Sequence, residues 1–314
     1  VRLVGDIGGT NARFALVGEG SDLPREEETL ACADYPDLGV AAEAYLAARG
    51  TRVREAAFAV ATPVTGDEIQ LTNSASRLSI RETRARLGLD RLLLLNDFTA
   101  LALALPLLRP DELRQVGGGQ VRAGRPKALL GAGTGLGVSG LIPSGADWIP
   151  LEGEGGHTAF SPANDREAAV LRTLWQRFDH VSTERVASGP GLALLHEMLG
   201  LVDGQPAEAL SPEEITRRAE AGDLRCHEAL EMFCGILGTA AANLCVTLGA
   251  MGGVYIGGGV VPRLGARFDR SCFRARFEAK GRFRTYVAEV PTFVITAVNP
   301  ALRGVARAFD RPVS

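Results

Sequence analysis

Two glycine- and threonine-rich turns, each set between apolar runs, constrain this chain more than any other feature. The first lies in Arg2-Leu-Val-Gly-Asp-Ile-Gly-Gly-Thr-Asn-Ala-Arg-Phe-Ala-Leu-Val17, the second in Lys127-Ala-Leu-Leu-Gly-Ala-Gly-Thr-Gly-Leu-Gly-Val-Ser-Gly-Leu-Ile142. Each reads as strand, turn, strand. Glycine lets the backbone come close to a ligand and adopt positive φ. Successive N–H groups in such a turn form a concavity suited to phosphate oxygens. Two such turns predict a duplicated core with nucleotide phosphates held between its halves.

The 314 residues are enough for two domains and a sizeable core. With 34 basic against 37 acidic residues the net charge is −3, which argues against a nucleic-acid binder. The basic stretch Arg263, Arg267, Arg270, Arg274, Arg276, Lys280, Arg282 and Arg284 is interrupted by Asp269 and Glu278 and reads as a solvated helix face and loop. Five cysteines, at 32, 226, 234, 245 and 272, show no CxxC spacing. They read as free buried thiols in a reducing cytoplasm, not as a zinc site or disulfide framework. No signal peptide is read at the start. Residues 232–262 lack Asp, Glu, Lys and Arg, but Asn243 and the glycine groups at 252–253 and 257–259 divide them. A buried helix and a core strand are expected there, not a membrane span.

The apolar runs 2–5 and 13–17 predict a hairpin, and 55–61 a third strand ended by Pro63 and Gly66. Ser79-Ile-Arg-Glu82 and Ser211-Pro-Glu-Glu214 are capping boxes, and Gly88 is an expected left-handed stop. Residues 91–95, Arg-Leu-Leu-Leu-Leu, carry an unbroken leucine run, expected of a strand buried on both faces. Asn96-Asp97 follow, then a helix from Thr99 to Leu105 stopped by Pro106. In the second half, Asn164 caps one helix, Pro190 sits at the start of another, and a long Ala/Gly-rich helix begins at Asp223. A strand over 253–257 then turns into a further helix. Hairpins leading each half, with strands and helices mixed, predict two α/β lobes.

Gly135-x-Gly137-x-x-Gly140 matches the dinucleotide fingerprint by letter only, because no helix opens after it. No Gly-Lys-Ser/Thr occurs, and the two lysines, Lys127 and Lys280, lie outside any kinase Val-Ala-Ile-Lys context. Phosphates are therefore expected on backbone N–H groups, threonine hydroxyls and a metal. Gly5, Asp6, Ile7, Gly8, Gly9, Thr10 and Asn11 supply such a turn. Asp6 would repel a bare phosphate, so it reads as a Mg²⁺ carboxylate, acting through water. An ordinary glycine hairpin remains the alternative for either turn alone.

The motif set resembles the bacterial glucokinases of the hexokinase/actin/Hsp70 superfamily. The likeness runs in order through Gly5-Asp-Ile-Gly-Gly-Thr-Asn-Ala-Arg-Phe14, Leu95-Asn-Asp-Phe-Thr-Ala100, Gly131-Ala-Gly-Thr-Gly-Leu-Gly137, Gly153-Glu-Gly-Gly-His157, Val181-Ser-Thr-Glu-Arg185 with Ser188-Gly-Pro-Gly191, and Gly252 to Arg263. It implies two ribonuclease-H-like, actin-like ATPase lobes with mixed sheets and a ligand cleft between them. The lobes would be residues 1–107, with a C-terminal helix over 299–314 packing back, and residues 108–298. It implies ATP- and Mg²⁺-dependent phosphorylation of the 6-hydroxyl of D-glucose for glycolysis, in a cytoplasmic homodimer that binds neither nucleic acid nor membrane. Phosphoryl transfer needs alignment, charge neutralisation and a group to take the hydroxyl proton. Asp97, just past a strand end, is that base by resemblance; taken alone it reads as a helix N-cap. By resemblance Asn96, Asp97, Glu154, His157 and Glu184 hold the sugar. Gly133, Thr134 and Gly135 form the second phosphate loop, and Gly257, Gly258 and Gly259 the adenosine site.

One departure is that Thr72-Asn73 is followed by Ser-Ala-Ser, where the family often has a Trp. The related zinc-containing sugar kinases follow their histidine with a cysteine cluster. No Cys lies between Cys32 and Cys226, so no structural zinc is expected. The alternatives are a kinase for another hexose, such as mannose or N-acetylglucosamine, and an actin-like ATP-binding structural protein.

Overall fold

The computed structural model describes residues 1–62, 66–70, 77–206 and 208–310. Pro63, the Thr72–Ser76 segment and residues 311–314, which figure in the expectations above, lie outside the described residues. The chain forms two compact units, one of Val1–Arg109 with the segment from Ala297 onward, the other of Pro110–Thr296.

In the first unit, β1 (Arg2–Ile7), β2 (Asn11–Val17), β3 (Arg25–Ala31), β4 (Glu55–Val60) and β7 (Arg91–Asn96) form one sheet in the order β3-β2-β1-β4-β7. α1 (Leu38–Ala48) and the β5 (Glu68–Gln70) and β6 (Arg77–Ser79) pair intervene, followed by α2 (Ile80–Leu87). α3 (Asp97–Ala104) leaves directly from β7. β1 pairs antiparallel with β2 and parallel with β4, and β4 pairs parallel with β7.

The two-residue period of a strand sorts this sheet's side chains between two cores. Leu3, Ile7, Phe14, Phe58 and Val60 pack with Leu38 and Tyr45 of α1. Val4, Ala15, Ala57 and Ala59 face Ala100 of α3 and Leu302 and Val305 of a C-terminal helix, Ala301–Arg307. That face is small-residue, so the helices come close. A Cβ on Gly304 would stand 1.7 Å from the Ala100 carbonyl oxygen.

β7 departs from expectation. It is an edge strand and each of its residues is only half-buried. Its run of leucines is explained because both faces of the sheet are covered. Leu92 and Leu94 meet one core and Leu93 the other. β3, at the opposite edge, opens on Arg-Glu-Glu-Glu and carries no alternating apolar pattern that would mark it as a strand. Charges on an edge strand discourage pairing with a second chain.

The second unit holds β8 (Leu113–Val116), β9 (Lys127–Ala132), β10 (Leu136–Ser144), β11 (Asp147–Pro150), β12 (Val254–Gly257) and β13 (Thr292–Ile295), ordered β11-β10-β9-β12-β13-β8. Setting β8 aside, both sheets have their strands in the order 3-2-1-4-5, led by an antiparallel hairpin whose first strand pairs parallel with the fourth. The duplicated core expected from the two glycine turns is thus present at the level of topology. After Gly135 the GxGxxG letters run on into strand β10, not into a helix.

The second core is built on α4 (Asp165–Leu174), α5 (Thr183–Val186), α6 (Gly189–Val202), α7 (Pro212–Glu220) and α8 (Leu224–Leu248). Four short helices follow β12: α9 (Val260–Leu264), α10 (Ala266–Arg270), α11 (Phe273–Glu278) and α12 (Arg284–Ala288). The caps form where the sequence places them. Ser79, Asn164, Ser211 and Asp223 each accept from a backbone N–H of the first turn, and Gly88 and Gly249 stop their helices at φ 63° and 62°. α8 is long and apolar enough to cross a membrane, but 67% of its apolar window is buried in this unit. Its glycines admit α11, since a Cβ on Gly238 would meet the Phe273 carbonyl oxygen at 2.4 Å.

The basic stretch 263–284 is not simply a solvated face. Arg274 bonds Glu278 at 2.7 Å and the Val290 carbonyl at 2.9 Å. Arg276 pairs with the buried carboxylate of Glu167.

Candidate active site

In the first unit, strand register brings the candidate groups to one edge. Ile7, Val60 and Asn96 are aligned across β1, β4 and β7 at their C-terminal ends. Two strand spacings, about 10 Å, therefore separate the base of the glycine turn from Asn96. Open α/β sheets place their ligands at this edge.

The turn between β1 and β2 is closed by Gly8 N donating to Asn11 O at 2.9 Å. It is braced by Cys32, whose N–H donates to Thr10 O at 2.8 Å and whose thiol lies 3.5 Å from Gly8 O. Sequence reasoning missed Cys32 as a support, because nothing near it in the chain signals the contact. The Thr10 side chain is exposed. Asp6, half-buried, pairs with Arg13 at 3.3 Å across the hairpin. Burial raises its carboxyl pKa above the ordinary value, against the lowering effect of Arg13.

Gly5 and Ile7 stand apart from the rest of this set. Both are buried, and a Cβ on Gly5 would meet the Phe58 ring at 2.7 Å. Their side-chain positions serve packing, so what they offer a ligand is confined to main chain.

Asn96 is the N-cap of α3. Its Oδ1 accepts from Phe98 N at 2.9 Å and Thr99 N at 3.3 Å. The helix therefore starts two residues earlier than expected, and the cap role read for Asp97 belongs to its neighbour. Asp97 is the first helical residue, with Oδ1 2.9 Å from Phe98 N. A carboxylate in a helix's first turn is favoured in its ionised form. With Oδ1 of Asn96 engaged by the cap, its Nδ2 is the atom suited to a ligand.

In the second unit the remaining candidates gather around the turn between β9 and β10. Gly133 N closes the turn onto Gly135 O at 2.8 Å, and Gly189 N, at the start of α6, donates to Gly133 O at 2.8 Å. Ser188, which caps α6, thus gains a place in the site architecture. β12 runs alongside with Gly257 opposite Gly131. A Cβ on Gly131 would meet Gly257 at 2.5 Å, and one on Gly258 would meet Ala132 O at 2.3 Å. The two glycine segments are thus in direct contact. Among the site glycines with a positive φ only Gly258 is found, at 77°. At Gly5, Gly131 and Gly135 close approach, not a left-handed backbone, excludes a side chain, whereas a Cβ on Gly133 would meet nothing within 4 Å.

Glu154 precedes the turn Gly155–His157, which His157 N closes onto Glu154 O at 3.0 Å. Gly156 lies where a Cβ would be 2.1 Å from Leu136 O, so this turn rests on the first residue of β10. Thr183 N and Oγ1 both donate to Thr158 O, at 2.8 and 3.1 Å, fixing α5 against the same segment. As a result Glu184 reaches His157, with Oε1 3.9 Å from Nε2. Its Oε2 accepts from Leu136 N at 2.8 Å. Glu154 and His157 are exposed and Glu184 half-buried. Such a group of acceptors and donors beside a glycine-rich turn can hold a polyhydroxylated ligand.

Among the described residues no group of three or more His, Cys, Asp or Glu side chains is arranged to hold a metal ion. Mg²⁺ bound with a nucleotide needs only one or two protein carboxylates, the phosphates and water supplying the rest. Asp6, beside the glycine turn and disfavoured as a bare anion, fits that requirement.

Residues 3–312 match the family model described as Glucokinase. The chain belongs to the glucokinase family. A glucokinase of Aromatoleum aromaticum is 52% identical over 318 residues, covering 100% of this chain and 96% of that protein. A glucokinase of Chromobacterium violaceum is 54% identical, covering 97% and 88%. Among solved structures, a glucokinase from an Antarctic psychrotroph superposes with a TM-score of 0.88 at 34% identity, over 98% of each chain. The 3-2-1-4-5 order described above is the mixed α/β, actin-like ATPase fold of the glucokinases.

Proposed function

We propose that this chain transfers the γ-phosphoryl group of ATP to the 6-hydroxyl of D-glucose, with Asp97 as general base. As a member of the glucokinase family it is an ATP-dependent hexose kinase. The observation that carries the site assignment is the packing of Glu184 and His157 against the second glycine turn.

Asp97 takes the hydroxyl proton as the oxygen attacks phosphorus. A carboxylate positioned beside the reacting hydroxyl can serve as that base. Asn96 Nδ2, Glu154, His157 and Glu184 bind and orient the sugar. A sugar epimer would leave one such group unpaired at a cost of about 1–3 kcal/mol, which is a sufficient basis for discrimination. Main-chain N–H groups and the hydroxyls of Thr10 and Thr134 bind phosphate oxygens, and the Gly257–Gly259 backbone lies against adenosine. Asp6 would hold Mg²⁺ through water. When bound, the ion neutralises phosphate charge.

The same reading carries a cytoplasmic homodimer that feeds glucose 6-phosphate to glycolysis. The test is ADP release by purified protein with Mg²⁺ and ATP, in parallel with glucose, mannose, fructose, galactose and N-acetylglucosamine. Glucose-dependent release with glucose 6-phosphate as product is expected. Preference for another sugar would move the substrate assignment, and no stimulation by any sugar would overturn the reading.

A further inference from the structure

The carboxylate of Glu184 has two neighbours that belong to different halves of the reaction. Oε1 faces His157 in the sugar group at 3.9 Å. Oε2 accepts from the N–H of Leu136 at 2.8 Å, and Leu136 is the first residue after the Gly133–Gly135 turn assigned to phosphate. The contact depends on Gly135. A Cβ there would stand 2.5 Å from Oε2, so any larger residue would displace the carboxylate. Gly135 has no positive φ to explain it otherwise.

The surroundings keep this geometry from relaxing. α5 is one turn long, capped by Ser182 and tied to Thr158 through Thr183. The Gly155–His157 turn rests on the Leu136 carbonyl. The sugar-holding segment, α5 and the exit of the phosphate turn therefore share one hydrogen-bonded junction, and Glu184 is its central side chain. Hydrogen bonds to a charged acceptor are stronger than neutral ones.

We propose that Glu184 is a positioning residue for the nucleotide as well as a sugar ligand, and that through it glucose and ATP raise each other's affinity. This rests on the functional reading above. Glucose bound at Oε1 fixes the carboxylate, and the fixed carboxylate holds the Leu136 N–H and the turn before it in the shape that receives phosphate. Coupling between two ligands is reciprocal. The effect of glucose on nucleotide binding must therefore equal that of nucleotide on glucose binding.

The experiment is calorimetric titration with a non-hydrolysable ATP analogue and Mg²⁺, with and without glucose, on wild type, E184A, E184Q and G135A. Thermal melting is measured alongside. For wild type, glucose is expected to tighten nucleotide binding about tenfold, within the usual range of coupling between sites. E184A should bind nucleotide several-fold more weakly even without glucose, and glucose should no longer tighten it. E184Q retains an oxygen that can accept from Leu136 N, so it should recover nucleotide affinity in the absence of sugar while glucose binding stays weak. G135A keeps the Glu184 side chain but displaces its carboxylate from Leu136 N and from the sugar group, so it should weaken both substrates and lose the coupling. If E184A does not fold, E184Q and G135A carry the comparison. Wild-type nucleotide affinity in E184A without sugar, or full coupling in G135A, overturns the proposal alone. A wild-type protein that binds neither nucleotide nor glucose overturns the functional reading with it.

Discussion

Arg13 reaches across the β1–β2 hairpin to donate to Asp6 at 3.3 Å, yet burial still holds the Asp6 carboxyl above its ordinary pKa. A group whose pKa is higher folded than unfolded favours folding most below its unfolded value. That contribution is lost as pH rises through the folded value, so at neutral pH the ionised Asp6 works against stability. D6N should therefore melt higher than wild type at pH 7, with the difference shrinking toward pH 4. Turnover with Mg·ATP should fall about a hundredfold or more, because a metal-held charge contributes several kcal/mol in the transition state. A variant that melts lower at pH 7 would contradict the role of burial. One that keeps its turnover would remove Asp6 from metal binding.

The Asn96–Asp97 pair separates a structural duty from a chemical one. N96A loses the cap that accepts from Phe98 and Thr99, which should cost about 1 kcal/mol of stability, and it should also weaken glucose binding. D97N leaves that cap intact. Its turnover should drop by about 10²-fold or more while glucose affinity stays measurable. Steady-state kinetics with a thermal melt of each variant checks both. Near-normal turnover of D97N would reduce Asp97 to a first-turn helix residue.

Glu167 is a buried carboxylate that holds α4 to α11. It accepts from Ala163 N at 2.8 Å and Asn164 Nδ2 at 3.1 Å, and pairs with Arg276. E167A would strand the Arg276 guanidinium without its partner, at a cost of about 3–5 kcal/mol. Urea denaturation should show a large fall in midpoint for E167A and a smaller one for E167Q, which keeps an acceptor. Equal midpoints for E167A and wild type would mean that the pair is energetically silent.

His196 lies buried on α6, and burial lowers its pKa, helped by Arg225 and Arg218 and opposed by Asp223 and Glu208. A histidine with a depressed folded pKa contributes stability above its unfolded value of about 6.5 and loses it as pH falls. Stability should decline on acidification below about pH 6.5. H196Q should flatten that decline without altering the sugar site. Melting curves from pH 8 to 5 test it; identical slopes for the two proteins would exclude His196 as a source of acid sensitivity.

What the sequence discloses here is mostly local. The caps at Ser79, Asn164 and Ser211, the stop at Gly88, and the two glycine hairpins rest on chemistry within a few residues, and the structure has them where the sequence places them. Asn96 and Asp97 show the limit of that approach. Both are good capping residues, and only the actual start of α3 decides between them. Pairing decides the rest. β7 is apolar on both faces yet ends up at an edge, and β3 is charged over its first four residues yet joins the sheet. The need for glycine at position 135 arises from a carboxylate 49 residues away in the chain, at Glu184, which no local pattern could disclose.

The return of the helix Ala301–Arg307 to the first unit sets an order on synthesis. Leu302, Val305 and Phe309 complete a core whose other members, Val4, Ala57 and Ala100, leave the ribosome about two to three hundred residues earlier. Domains ordinarily fold as they emerge, N-terminal first. Here the N-terminal unit must wait with one sheet face uncovered, while Pro110–Thr296 is contiguous and can close first. That sheet face is consequently most exposed to chaperones, and to misassembly, until the helix Ala301–Arg307 is released.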